Sequence, residues 1–354
     1  SSGAGNAPTL QTRLSGAVTA GPVRDADVTV YRIDIGTRAL TRIGATTTDA
    51  AGLYSLVVDG PGPFLTVATG GSFRDEATGA TLSLGATTLL RSLDDPRTGA
   101  IEVLLGSESA GADQVANVNP LTRLASLRAA TASITSATAL TDLGVRALTD
   151  EVAREFGFAP GVDLRRIRPL DFTSTADAAA IAAAPDSPEA RLGALLAGLS
   201  ALADNIPLAG SVVSPVTGAG LVAPAATNGP GVPPLELIDA LAEDARDGAL
   251  DGLAPDPAGG SGPIAFNGGE LDPATGTTML AGATATFLDN PALNMSGTTS
   301  GDFSGLLADI NRVDNTPANA PPRFDAIADP TIPEDSGELA IDLTGLTAGT
   351  PAED

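Results

Sequence analysis

The sequence predicts a multidomain α+β protein with an N-terminal antiparallel β-sandwich, a central all-α domain and a C-terminal partial Ig-like β-segment. The sandwich is predicted for residues 10–111, where short β-branched stretches alternate in polarity and are separated by turns. The all-α domain is predicted for residues 112–314, which are rich in alanine and leucine at helical spacing. Residues 324–354 hold sequence for only the first strands of a further β-module. A flexible tether at 1–9 and a Pro-rich linker at 315–323 complete the predicted organisation.

Short alternating stretches predict the strands of the sandwich. They occupy residues 14–18, 27–32, 45–48, 53–58 and 64–69. The third and fourth stretches are separated by Asp49-Ala50-Ala51-Gly52, a turn sequence with glycine where a positive φ is needed. We therefore expect these two strands to pair as a hairpin.

Three segments of this region resemble a known module: SGAV at 15–18, PVRDADVTV at 22–30 and TDAAGLYSL at 48–56. They are similar to the carboxypeptidase-regulatory-like and collagen-adhesin B-type modules, which are prealbumin-like sandwiches of bacterial surface proteins. The resemblance covers about the first quarter of the chain and implies an exported protein. Some B-type modules cross-link themselves through a lysine–asparagine isopeptide bond. This chain has no lysine, so its sandwich must be held by core packing alone.

Helical signals follow the sandwich. Asn119 as N-cap, with Pro120 at the first helical position, predicts a helix start. A second helix is predicted at 141–156, and its core-facing stripe consists of Leu143, Ala147, Leu148, Val152 and Phe156. Further helices are predicted at 175–184, 188–202, 234–246, 275–288 and 302–313. Residues 117–125, 168–174 and 241–252 also resemble the helical region that follows such a sandwich in proteobacterial surface lipoproteins, and this family implies no activity.

The C-terminal residues resemble the opening of cadherin-like or Ig-like repeats in large bacterial adhesins. The resemblance is carried by FDAIADPTIPED at 324–335 and by the alternating stretch LAIDLT at 339–344. A segment this short cannot close a sandwich or bury both of its faces. Either more chain follows, or another subunit supplies the missing strands. The residues predicted to make assembly contacts are Ile327, Ile332, Leu339, Ile341 and Leu343.

The amino-acid composition excludes most catalytic machinery. All 19 basic residues are arginines, and the chain has no lysine, histidine, cysteine or tryptophan. Ser-His-Asp and Cys-His triads, Schiff bases, haem ligation and the usual zinc sites therefore cannot form. A paired-carboxylate glycosidase passes this filter, but aromatic rings on which a sugar could stack are scarce, with 9 Phe and 2 Tyr. We predict that the protein is not an enzyme.

The charge balance restricts the partners. The 43 acidic and 19 basic residues give a formal charge of −24, which repels phosphate backbones and anionic lipid headgroups. Nucleic acid is therefore excluded as a partner, and divalent cations are favoured. No stretch is apolar enough to span a bilayer, so a membrane is expected to be reached only through an N-terminal lipid anchor. Ser1-Ser2-Gly3 resembles the segment after the lipidated cysteine of bacterial lipoproteins, with a trimmed terminus as the alternative.

Asp244, Asp247 and Asp251 predict a weak calcium site. With Gly248 at the sixth position of an EF-hand loop, Asp247 and Asp251 fall at ligand positions five and nine. Ala254 stands where that loop needs its bidentate carboxylate, so affinity would be low. The alternative interpretation is a capped helix end followed by an acidic turn.

Arg165, Arg166 and Arg168 form a basic cluster in this acidic chain. Guanidinium groups bind carboxylate and phosphate bidentately, so an anion site is one interpretation. Salt bridges against the acidic excess are the other.

These observations together predict a non-enzymatic, exported structural or adhesive subunit of the bacterial cell surface or extracellular matrix. We expect it to form homo-oligomers, filaments or arrays by pairing β-strands between subunits through residues 324–354. Other surface proteins or glycans are further candidate partners, and calcium is the one candidate cofactor. Two alternatives stay open: a calcium-assembled S-layer-type protein, and a carboxylate-based glycan-binding or glycan-hydrolysing protein.

Overall fold

The computed structural model describes residues 11–312 except 87–88, 94, 96–98, 108–112, 132–139, 207–232, 246–249 and 256–260. In this part of the chain β-strands come first and α-helices follow, which confirms the predicted mixed α+β class. The strands of the N-terminal part are β1 (Gln11–Ala17), β2 (Arg24–Ile33), β3 (Leu40–Thr47), β4 (Leu53–Asp59), β5 (Phe64–Arg74), β6 (Thr81–Leu82), β7 (Ile101–Leu105) and β8 (Gln114–Val115).

Two sheets pack face to face in this N-terminal part. One has the order β4-β1-β8, with β1 antiparallel to β4 and parallel to β8. The other begins β3-β2-β5, and β5 then pairs with β7 along its first half and with β6 at its end. Both sheets contribute to one buried core, which includes Leu14, Val28, Tyr54, Phe64 and Ile101. The predicted antiparallel sandwich is confirmed.

The predicted hairpin between the third and fourth strands is wrong. β3 pairs with β2 and β4 pairs with β1, so residues 49–52 carry the chain from one sheet to the other. The turn itself forms as expected: Oδ1 of Asp49 accepts hydrogen bonds from the N–H groups of Ala51 and Leu53, both at 2.9 Å, and Gly52 has a φ of 74°. Turn chemistry is local, whereas the partner of each strand is decided by packing across the sandwich.

Asn117 lies at the exit of the sandwich and is buried. Its Oδ1 accepts a hydrogen bond from the N–H of Ala17 on β1 at 2.9 Å. Its own N–H donates to the carbonyl of Arg165 at 2.8 Å, which brings the helical part to the same point. Next to it, Val118 forms a parallel bridge with Val18. This stretch therefore belongs to both halves of the molecule.

Asn119 confirms the predicted helix start. Its Oδ1 accepts hydrogen bonds from the N–H groups of Leu121 and Thr122, both at 3.0 Å, at the beginning of α1 (Pro120–Thr131). The hydroxyl of Thr122 donates to the carbonyl of Glu102 on β7 at 2.8 Å. Because Thr122 of the first turn is bonded to a strand, the start of the helix is fixed on the sandwich.

The other helices in the described part of the chain share a second core. They are α2 (Asp142–Glu155), α3 (Ala178–Ala183), α4 (Pro188–Asn205), α5 (Pro234–Asp244), α6 (Leu280–Leu288), which follows a π-helical turn at Thr275–Met279, and α7 (Ser304–Arg312). Phe156, Phe172, Leu195, Phe287 and Phe303 lie near its centre. Among the helices that the structure describes, none has the length and apolar character needed to cross a bilayer.

Two short antiparallel pairs lie between α5 and the π-helical turn. They are β9 (Leu253–Pro255) with β10 (Ser261–Pro263), and β11 (Ala265–Phe266) with β12 (Gly269–Glu270). A small cluster of Ala240, Ile264 and Leu271 joins them to α5. These strands were not predicted, because each is too short to show alternation.

The predicted core stripe of the second helix is partly wrong. Val152 and Phe156 are buried as expected, but Leu143 is 79% exposed and Ala147 is also exposed. The buried face runs instead through Val145, Thr149, Val152, Ala153 and Glu155. One of these buried positions, Glu155, is a carboxylate that pairs with an arginine on α1. A prediction from hydrophobic spacing alone leaves such a position out, and it therefore places the buried face at the wrong angle around the helix.

α4 and α6 approach each other closely at Gly198. A Cβ at this position would lie 1.9 Å from Oγ1 and 2.8 Å from Cβ of Thr284. Thr284 is held there, since its hydroxyl donates to the carbonyl of Leu280 at 2.8 Å. The close packing of these two helices therefore requires glycine at this point.

We expect Gly198→Ala to lower the free energy of unfolding by about 1–3 kcal/mol, because the added methyl must push the helices apart. Gly305→Ala on α7 is the matched control, since the nearest atom to its added Cβ is Oδ1 of Asp186 at 3.5 Å. The control should be neutral or slightly stabilising, because alanine is the better helix former. Urea unfolding of both variants measures this, and equal stabilities would contradict the close approach.

Candidate functional site

A cleft lies where the sandwich meets the helices, and we call it the junction cleft. The turn before β2 and Glu76, which follows β5, form its sandwich side, while α4 and residues 168–172 form its helical side. Four charged side chains line it: Glu76, Arg168, Asp171 and Asp177. In the described part of the chain this cleft brings carboxylates from both halves of the molecule to one place.

A serine on α4 clasps the turn that carries Glu76. The hydroxyl of Ser200 donates to Oδ1 of Asp75 and accepts from the N–H of Ala77 at 3.2 Å. The other oxygen of Asp75 accepts from the N–H and hydroxyl of Thr78, at 2.9 and 2.6 Å. Both Asp75 and Ser200 are buried, so the helical half grips the sandwich through satisfied polar contacts.

Glu76 is 9% exposed and sits between two cavities. Burial raises the pKa of its carboxyl to about 8, and the negative charges of Asp75 and Asp171 add to the increase. The backbone N–H of Gly21 offsets a part of this by hydrogen bonding to the carboxylate. Gly21 has a φ of 73°, and a Cβ there would lie 2.6 Å from the carbonyl oxygen of Arg74, so the close approach depends on glycine.

The two aspartates of the helical side are used as local caps. Oδ1 of Asp171 accepts from the N–H and the hydroxyl of Thr173, at 2.8 and 2.7 Å. Oδ2 of Asp177 accepts from the N–H of Asp171 at 2.9 Å. Their oxygens are thus bound to the chain's own backbone. Among the described residues, no group of three or more acidic side chains is arranged to hold a metal ion.

The space in the cleft limits its chemistry. The junction cleft and the cavity on the other side of Glu76 each have an internal volume of about 20 Å³, which is what one ordered water needs. The ring of Phe172 faces inward, and its centroid lies 5.6 Å from that of Phe303 and 6.3 Å from that of Phe287. This cleft therefore offers neither the room nor the aromatic surface that binding a sugar ring requires.

The predicted calcium ligands are only partly within the described residues. Asp244 is fully buried, and its Oδ1 accepts from the N–H groups of Asp251 and Gly252, at 3.0 and 2.7 Å. Oδ1 of Asp251 accepts from the N–H of Leu253 at 3.0 Å. These contacts agree with the helix-end alternative. Asp247 lies outside the described residues, so calcium binding stays a prediction.

The predicted assembly residues Ile327, Ile332, Leu339, Ile341 and Leu343 also lie outside the described residues. The basic cluster is described, and two of its members form ion pairs. Arg165 is buried against Asp163 at 2.8 Å and Asp142 at 3.5 Å, and Arg166 lies 3.5 Å from Asp163. The salt-bridge interpretation of this cluster therefore agrees with the structure, while Arg168 lines the junction cleft.

Buried ion pairs between helices are a feature that the sequence reasoning missed. Arg128 on α1 contacts Glu155 on α2 at 2.7 Å, and both side chains are nearly inaccessible. Burial raises the pKa of Glu155 to about 7, although the charge of Arg128 acts in the opposite direction. On the same helix, Arg123 binds Asp239 of α5. The local signal is arginine, as Arg123 and Arg128, on a helix made otherwise of apolar residues and small hydroxyl residues.

No protein-family model matches the chain, and no curated protein sequence matches it. One similar solved structure is a double mutant of the shaft pilin SpaA from Lactobacillus rhamnosus GG, with 10% identity, a TM-score of 0.17, and coverage of 31% of this chain and 47% of the pilin. Another is a 9R-lipoxygenase from Cyanothece PCC8801, with 11% identity, a TM-score of 0.16, and coverage of 58% of this chain and 33% of the lipoxygenase. The chain thus spans less than half of either protein. TM-scores of this size do not indicate a common fold or function.

Glu76 makes stability depend on pH. Its folded-state pKa of about 8 exceeds the ordinary 4.5, so between these values the folded protein holds a proton that the unfolded chain has released. The contribution to stability is complete below about pH 4.5 and is lost as the pH rises through about 8. We expect Glu76→Gln, which stays neutral, to be more stable than the natural chain at pH 9, by about 3–5 kcal/mol at most.

Chemical unfolding at pH 5, 7 and 9 measures this dependence. The exposed Glu270→Gln is the matched control and should follow the natural chain at every pH. If Glu76→Gln and the natural chain lose stability equally between pH 5 and 9, the carboxyl is not buried as described.

Proposed function

We propose that the chain is a non-enzymatic structural or adhesive subunit, exported to the bacterial surface or the extracellular matrix, that assembles by β-strand pairing between subunits. The observation that carries the proposal is the junction between the sandwich and the helices. It is filled by paired polar groups and has space for little more than water. Such a junction suits a part that must keep its shape.

The connection between the two halves supports the same role. Residues 114–118 leave the sandwich while still bonded to β1, and α1 begins within a few residues of that point. Asn117 and Ser200 add buried hydrogen bonds at two separate places. Because these contacts are far apart and buried, the two halves resist rotation against each other. A subunit of a filament or lattice needs this property to keep a constant spacing.

The resemblance of the sandwich and of the tail to bacterial surface modules supports the location. The acidic surface supports a second candidate, an S-layer-type protein assembled through calcium, since residues 112–314 alone hold 24 acidic against 10 basic side chains. The two candidates differ in what holds the subunits together. Strand pairing is indifferent to chelators, whereas calcium bridges are not.

Deleting residues 322–354 should abolish or strongly weaken assembly, because the deletion removes the strand that pairs between subunits. The circular dichroism and melting of the remaining chain should stay unchanged, since the sandwich and helices have their own cores. Sedimentation velocity and electron microscopy of both chains, at several concentrations, measure assembly. Undiminished assembly of the shortened chain would contradict strand pairing through the tail.

A chelator arm separates the two candidates. Assembly of the full chain should be the same with calcium and with chelator if strands hold it together. Disassembly of the full chain by the chelator would support the calcium-assembled alternative. In that case Asp247→Ala should no longer respond to calcium or to the chelator.

A further inference from the structure

The outer strand of the smaller sheet leaves part of its backbone available for pairing with a further strand. β4 is the outer strand of the β4-β1-β8 sheet, and within the described residues no strand pairs with its far side. The N–H of Val18 donates to the carbonyl of Gly52, which makes these residues a hydrogen-bonded pair in the antiparallel register. In an antiparallel pair, the backbone N–H and carbonyl groups of successive residues point alternately toward and away from the partner strand. Counting from Gly52, those of Ser55 and Val57 point away from β1.

Both ends of this edge are closed by other contacts. Leu53 exchanges two hydrogen bonds of 2.9 Å with Asp49, one through its N–H and one through its carbonyl. The carbonyl of Asp59 accepts from the guanidinium of Arg32. The backbone groups of Ser55 and Val57 lie between these two closures, and we call this stretch the β4 edge. It has room for a short strand only.

The side chains at the β4 edge lack the usual protection of an edge strand. Leu53 is 37% exposed and Val57 is 44% exposed, with the small Ser55 between them. By contrast, the exposed positions of β3 include Thr41, Arg42 and Thr47. Charged side chains discourage strand addition at an edge, and exposed apolar ones invite it. Of these two outer strands, β4 is the one suited to accept a further strand.

We propose that residues 339–343 of a second copy of this chain add to the β4 edge as a strand. The inference rests on the proposed function and identifies the surface that receives the tail. This segment has five residues, which matches the short edge, and its sequence LAIDL alternates. Leu339, Ile341 and Leu343 then face the sandwich, where Ile43 and Leu56 are only partly buried against the core.

The charge distribution favours this location over the rest of the surface. Residues 324–354 hold 8 acidic side chains and no arginine, so they are repelled by the helical part. Residues 10–111 are nearly balanced, with 8 arginines against 11 acidic side chains. Arg13 stands opposite Val57 on β1 and is 57% exposed, but it pairs with Asp113 at 3.8 Å on the β8 side, so the argument from charge rests on the overall balance of the sandwich. Asp342 falls on the same outer face as that arginine when the apolar residues face inward.

The absence of cysteine makes a cross-linking test clean. Full-length Ser55→Cys is mixed with full-length Asp342→Cys and treated with a short bis-maleimide, so that a covalent dimer can form only between two copies. Thr47→Cys, exposed on β3, replaces Ser55→Cys as the matched control. We expect a product of twice the 34.9 kDa chain mass, about tenfold more abundant than in the control, because docking raises the local thiol concentration.

The cross-linking result and the deletion result together separate failure of this inference from failure of the proposed function. If deletion of 322–354 stops assembly but the 55–342 product is no more abundant than the control, the tail docks elsewhere and only this inference is overturned. If the shortened chain assembles as well as the full one, or the full chain stays monomeric, both are overturned. A Ser55→Cys/Asp342→Cys double variant that cross-links only within one chain overturns the assignment to a second copy.

Discussion

The arrangement of the two halves depends on a pair of buried asparagines at the end of the sandwich. Asn117 binds β1 on one side and the carbonyl of Arg165 on the other, while Asn119 caps α1. In both asparagines the side-chain Oδ1 accepts backbone N–H groups, and in Asn117 the backbone N–H makes the second contact, so the end of the sandwich and the start of α1 are held together. A second contact between the two halves is the clasp between Ser200 on α4 and Asp75 after β5, which lies beside the junction cleft.

In a chain without lysine, the side-chain ion pairs of buried carboxylates are made by arginine. The guanidinium of Arg128 reaches Glu155 of α2 and the carbonyl of Ala245 together, so one side chain joins three segments. A carboxylate left alone in such a place would be protonated or expelled. Pairing does not remove the cost of burial completely, since the pKa of Glu155 is still raised. The ion pairs therefore determine which helices pack together, and their net contribution to the free energy of unfolding is small.

Local features of the fold could be read from the sequence, and contacts between distant segments could not. The Asn119 cap, the turn at Asp49 and the positions of β1 to β5 and of the described helices follow from short-range chemistry, and all of these were predicted. The sheet to which β4 belongs was not, because a turn does not choose the partner of a strand. The junction cleft was missed for the same reason. Glu76 meets Gly21 only when the sandwich has folded and meets Asp171 only when the helical half has joined it, and nothing near it in the chain marks it as buried.

The closed ends of the β4 edge carry a consequence for the form of any assembly. An edge bounded by Asp49 and Arg32 accepts one short strand, and each chain has one tail to give. Every subunit then has a valence of two, with unlike donor and acceptor ends. Contacts of this heterologous kind generate either a closed ring or an unbranched helical polymer, according to the rotation between neighbours. Strand addition of the proposed kind would by itself give neither branched networks nor sheets that grow sideways.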